Sequence, residues 1–159
     1  MRNVLGLAIG IVIGAGATAG FSQPRQIVSL NHVAIAAADF DAVSAFYEDV
    51  LGLPRAFTFR EADGSPALSY FQVNRDTFVE VMPVTAQRRA GFVHFGLEVA
   101  DLDAVVKRLR AKGITVGDAA VSPRTKSRIA VAHAPDGTTI ELMEFGSDSL
   151  HRKVMNAWR

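Results

Sequence analysis

The chain has 159 residues, enough for one domain or two small related modules, and 49% of them are hydrophobic, enough to build a core. A formal charge of +1 excludes the basic footprint that nucleic-acid binding requires. The absence of cysteine excludes disulfides and thiolate ligands, so any metal site must be built from His, Asp and Glu.

The first segment, "MRNVLGLAIGIVIGAGATAGFSQPRQ", carries one early charge at Arg2 and then an uncharged apolar run from Val4 to Phe21. Small residues close it, with A-x-A sites at Ala15-Gly16-Ala17 and Ala17-Thr18-Ala19. This is the build of a secretory signal peptide over residues 1–22, and it predicts an exported protein, periplasmic or extracellular. The alternative is a retained membrane tether, since the run would span roughly 27 Å as a helix.

The first predicted strand opens "NHVAIAAADFDAV", Asn31 to Val43, which aligns without gaps on "VHFGLEVADLDAV", Val93 to Val105. His32 matches His94 and Asp39 matches Asp101, so the two halves read as copies of one unit, residues 27–84 and 91–145. In each copy the aspartate is a helix N-cap, followed by an apolar stripe at helical spacing: Phe40, Val43, Tyr47 and Val50, then Leu102, Val105, Val106 and Leu109. Gly52 and Gly113 end the helices.

Three strands are predicted after the first helix, "RAFTFRE", "PALSYFQV" and "TFVEVMP". After the second come a short strand near Ile114 to Val116, then "RIAVAHA" and "TTIELMEF". The fold class is α+β, a βαβββ unit used twice. The tail, 146–159, has Leu150, Val154 and Trp158 at four-residue spacing and predicts a short amphipathic helix covering the domain edge or a second copy. No catalytic role is expected for His151 or Trp158.

Strand alternation isolates four residues. Val33 and Ile35 oppose His32, Val79 and Val81 oppose Glu80, Phe95 and Leu97 oppose His94, and Ile140 and Leu142 oppose Glu141. In each strand the large apolar pair can pack under a helix while His or Glu points the other way. A carboxylate inside an apolar strand is costly unless it is paired or bound to a metal. Two imidazoles and two carboxylates converging on one point suit one divalent transition metal per site, Zn, Ni, Fe(II), Mn or Co, rather than Ca or Mg. Phe78, Met82, Phe92 and Met143 share the ligand face and are candidate substrate walls. Arg128 is the candidate for an anionic substrate group, whereas Arg88, Arg89, Arg124 and Lys126 read as solvated loop charges.

The paired modules, together with "APDGTTIELMEF" near the end, resemble the vicinal oxygen chelate superfamily, which contains glyoxalase I, extradiol dioxygenases and metal-free bleomycin-binding proteins. The likeness spans Ile27 to Phe145 and implies a curved, largely antiparallel mixed sheet around a metal. It places His32, Glu80, His94 and Glu141 on the four metal-ligand positions of glyoxalase I. It further implies lyase or isomerase chemistry through an enediolate on a small vicinal-oxygen substrate, with Glu141 the favoured base and Glu80 acting across the site. An extradiol-type dioxygenase using His32, His94 and Glu141, or a non-catalytic binding protein, is the alternative. A homodimer is compatible with the resemblance, with sites assembled within one chain or between two.

Overall fold

A computed structural model describes residues 26–159. The expected leader or tether lies outside the described residues, among which no helix is long and apolar enough to cross a membrane. The chain runs β1 (Ile27–Ala37), α1 (Phe40–Ala45), β2 (Arg55–Arg60), β3 (Pro66–Asn74), β4 (Thr77–Pro83), β5 (Gly91–Val99), α2 (Leu102–Ala111), β6 (Ala120–Val121), β7 (Arg128–His133), β8 (Thr139–Glu144) and α3 (Leu150–Ala157).

Both helices start where expected. The Asp39 carboxylate accepts from Ala42 N and the Asp101 carboxylate from Ala104 N, each at 2.9 Å, satisfying backbone donors the first turn leaves free. After Ala45 the first helix widens, with Leu51 N bonding back to Phe46 O at 3.0 Å, so Phe46 and Val50 turn toward solvent. The strand expected at Ile114 to Val116 shrinks to one bridge, Val116 to Ala132, followed by the two-residue β6.

All eight strands form one sheet, ordered β2-β3-β4-β1-β5-β8-β7-β6. The pairs β1–β4 and β5–β8 are parallel and the others antiparallel. The two copies therefore meet edge to edge at β1 and β5, a mixed sheet that is largely antiparallel. Glu61, after β2, and Arg124, before β7, form an ion pair of 2.6 Å between the two outer edges, which places those edges face to face across a curl.

The curl separates two surfaces. On the outer one, α1 packs over Ile35, Phe71, Val79 and Val81, and α2 over Leu97, Ala130, Ala132, Ile140 and Leu142. The fully buried Leu102 and Val105 contribute about 1.5–3 kcal/mol each. Opposite residues in each strand face the inner surface.

One end of the inner surface is filled by α3. His151 is wholly buried, stacked on Phe145 with ring centroids 4.8 Å apart and met edge-on by Phe57, Tyr70 and Phe78. Met155 joins it against Tyr70, Phe78, Met143 and Phe145. Arg152 bonds the buried Glu98 carboxylate at 2.7 Å and holds the helix to β5. The amphipathic helix is as expected, but its buried face is His151 and Met155, and Trp158 is exposed. The stripe is centred one residue away, on His151 and Met155, with Val154 of the expected stripe partly buried against the same cluster.

Candidate metal centre

The register of the two parallel pairs repeats one offset. Ala34, two residues past His32, faces Glu80 on β4; Gly96, two past His94, faces Glu141 on β8. Across the central pair, His32 faces Gly96 and Ala34 faces His94. Each histidine therefore lies opposite the small residue of the other copy, and all four side chains meet within one chain.

Each histidine also follows a bulge. Asn31 is the extra residue on β1 between Leu30 and His32, and Val93 is the extra residue on β5 before His94. A bulge re-aims its neighbours and is common beside functional sites. The two bulges differ chemically. Asn31, fully buried, accepts from His32 Nδ1 through its side-chain oxygen at 3.1 Å, and its own amide donates to the carbonyl of Asp76 at 3.2 Å. That places the His32 proton on Nδ1 and leaves its Nε2 lone pair facing inward. Val93 can offer His94 nothing equivalent.

The Nε2 atoms of His32 and His94 stand 3.0 Å apart. Glu80 Oε2 is 3.5 Å from the first and 3.3 Å from the second, and Glu141 approaches them at 3.9 and 3.7 Å. His32, His94 and Glu141 present ligand atoms within 4.8 Å of one another. Glu80 Oε2 is buried without a hydrogen-bond partner. A buried carboxylate oxygen left this way is expensive unless a cation satisfies it.

The electrostatics point the same way. Burial, then the neighbouring His94 and His151, holds the His32 imidazole well below its usual 6.5, so it is neutral. Burial also disfavours a charged His94, but the neighbouring Glu80 and Glu141 carboxylates outweigh it and raise its pKa, with Arg88 opposing. Burial raises the Glu141 carboxyl, with His94 pulling it down and Glu80 pushing it up. Tyr70, opposite Glu80 in register, is pushed well above 10 by burial and then by both carboxylates. Without a cation, the proton between the two Nε2 atoms sits on His94. Among the described residues His32, His94 and Glu141 are thus grouped so that they could hold a metal ion, with Glu80 Oε2 beside both imidazoles.

The expected substrate walls divide. Phe78 and Met143 share the inner surface but are sealed in the core beneath α3. Met82 shares the face of Glu80 and lies toward the opposite end, on the C-terminal side of Glu80. The expectation for Phe92 is corrected: the bulge at Val93 shifts its phase, so it faces Ile35 on the helix-covered outer surface, where it is well exposed. The expectation for Arg128 is corrected: it faces the outer surface, bonded to Asp103 of α2 at 2.7 Å and to Glu144 at 2.8 Å. Its phase with Ala130 and Ala132, which pack under α2, carries it there. Asn31 and Tyr70 were not anticipated; an amide directly before a repeated histidine is the signal that could have found Asn31.

A model of the Glyoxalase/Bleomycin resistance protein/Dioxygenase superfamily matches residues 29–142. The uncharacterized protein YwkD of Bacillus subtilis (strain 168) is 32% identical over 124 residues, covering 73% of this chain and 96% of that one. The uncharacterized protein YaeR of Escherichia coli (strain K12) is 30% identical over 123 residues, covering 72% and 95%. Among solved structures, methylmalonyl-CoA epimerase from Mycobacterium tuberculosis is similar at TM-score 0.66 and 27% identity, covering 78% of this chain and 92% of that one. A Streptomyces coelicolor methylmalonyl-CoA epimerase in complex with 2-nitronate-propionyl-CoA reaches TM-score 0.66 at 23% identity, covering 77% and 98%, a likeness of fold.

Proposed function

This chain belongs to the glyoxalase/bleomycin resistance protein/dioxygenase superfamily, and within it we propose a divalent-metal-dependent enzyme that moves a proton on the carbon beside a carbonyl of a small substrate with neighbouring oxygens. The observation that carries this reading is the orphaned Glu80 Oε2, buried within 3.5 Å of two imidazole nitrogens that face each other. His32, His94, Glu80 and Glu141 would hold the ion. When bound, it supplies a Lewis acid for charge developing on the substrate oxygens.

The two carboxylates take different parts. The Glu80 side chain is 4% exposed and that of Glu141 is 22% exposed. Glu141 is thus the one able to meet a substrate carbon and take its proton, while Glu80 holds the centre from beneath. Asn31 fixes the ring of His32, and Met82 offers apolar contact toward the open end. Glyoxalase-type isomerisation and the epimerisation named for the structural neighbours share this step, abstraction of a proton next to a carbonyl. The N-terminal apolar run and its A-x-A sites support placing the reaction outside the cytoplasm, which disfavours a glutathione adduct as substrate.

A second reading, ring-cleaving oxygenation at Fe(II), is favoured by the His32, His94 and Glu141 grouping, which has the donor types of a facial triad. Elemental analysis of wild type, Glu80→Gln and His94→Ala tests the centre: about one metal per chain, lost in His94→Ala, is expected. A metal-free wild type prepared with excess metal overturns it. Deuterium exchange from solvent into a hemithioacetal or a branched malonyl thioester then supports proton transfer, and dioxygen uptake with catechols supports the second reading. Inertness to both leaves a binding protein.

A further inference from the structure

Arg55, Arg75, Arg110, Arg124, Arg128 and Arg152 each hold a carboxylate within 3.0 Å. Arg88 does not. It is half-buried in the loop between β4 and β5, the strands carrying Glu80 and His94, and among the described residues it has no carboxylate partner. A partly desolvated guanidinium with no counter-charge is uncommon unless an anion arrives from outside the chain.

The loop holds this arginine in place before any ligand binds. Thr85 N donates to Arg88 O at 2.9 Å and Arg88 N returns a bond to Thr85 O at 3.2 Å. The Thr85 hydroxyl accepts from Gln87 N and Arg88 N. One guanidinium nitrogen donates to the Pro83 carbonyl at 3.1 Å, which spends a single donor of the five. The rest of the fork is left without a protein partner among the described residues.

Its position is set by topology. α3 fills the end of the inner surface marked by Phe78, Glu98 and Phe145, which leaves the end marked by Met82 as the approach to the cluster. The β4–β5 loop stands at that end. Arg88 also borders a cleft of about 430 Å³ with Pro66, Ala67, Pro83, Thr85 and Arg124, where the Arg124 charge is already met by Glu61.

We propose that Arg88 is a specificity-determining residue that receives an anionic oxyacid group of the substrate, carboxylate or phosphate, at the entrance to the centre. The proposal rests on reading the His and Glu cluster as the reacting centre. With a divalent ion against Glu80 and Glu141 that cluster is formally neutral, so Arg88 gives the entrance its net positive charge. A planar guanidinium with parallel free donors suits a two-oxygen face, so a lysine would replace the charge without the geometry.

Calorimetric titration of the full metal-loaded chain with malonate and, separately, with inorganic phosphate tests this, using wild type, Arg88→Gln, Arg88→Lys and, as a control, the exposed Arg89→Gln. Wild type is expected to bind at least one of the two, weakened about tenfold or more in Arg88→Gln, partly restored in Arg88→Lys and unchanged in Arg89→Gln. The anion that shows the dependence names the group. Equal binding by wild type and a folded Arg88→Gln, or binding of neither anion by wild type, overturns the proposal. Metal content is read alongside: a chain that takes no metal but still binds an anion through Arg88 removes the proposed chemistry and keeps the anion site.

Discussion

The imidazole of His32 occupies the space that a Cβ on Gly96 would fill. The two are cross-strand partners on β1 and β5, and Gly96 has ordinary backbone geometry, so this glycine is required by contact rather than by conformation. Gly96→Ala should push the ring out of the cluster, with an overpacking cost of about 1–3 kcal/mol. A folded variant with lower thermal stability and strongly reduced metal content is expected. Wild-type metal content in Gly96→Ala would show that the ring can bind elsewhere.

Asn31 acts on the same ring from its other nitrogen. Asn31→Ala removes the acceptor for Nδ1–H and frees the opposite tautomer, which would turn a donor toward the centre. Loss of such an outer partner should weaken metal affinity by roughly 10–100-fold. Competition against a chromophoric chelator measures this directly. Asn31→Asp, which keeps an acceptor in place, is expected to fall closer to wild type.

The unequal exposure of the two glutamates predicts unequal phenotypes. Glu141→Gln at saturating metal should slow solvent exchange of the substrate proton by about 10²–10⁴-fold. Glu80→Gln should chiefly weaken metal retention, its turnover recovering as metal is added. Equal losses in both variants that excess metal does not rescue would contradict the division of roles.

Burial depresses the His151 pKa from 6.5 to about 3. Between those values the unfolded chain binds a proton that the folded chain refuses, so stability rises with pH across this window and is lost as pH falls through it. The full effect is of the order of several kcal/mol. Urea unfolding of the metal-free protein from pH 4 to about 7, compared with His151→Phe, checks it. The variant should flatten the slope, and an unchanged slope would assign acid sensitivity to other groups.

Much of the centre was legible because two independent signals agreed: the gapless repeat and the period of two. His32 and His94 share a place in the repeat, and Val33, Ile35, Leu97 and Leu142 show which strand face belongs to the helices. What was not legible depends on partners. Phe78 and Met143 lie on the correct face, but only α3 decides whether that face is open or sealed. Arg128 is in phase with Ala130 and Ala132, yet small residues do not declare which surface they join until α2 covers them. Arg88 read as solvated because loop sequence does not show which guanidinium lacks a carboxylate.

With α3 packed over one end of the inner surface, the proposed chemistry has one approach left, from the β4–β5 end. On that reading a substrate would enter head first, with its trailing part toward the β4–β5 loop. Assays built on small truncated substrates should therefore retain most of the selectivity, and a carrier group of any size could be left attached.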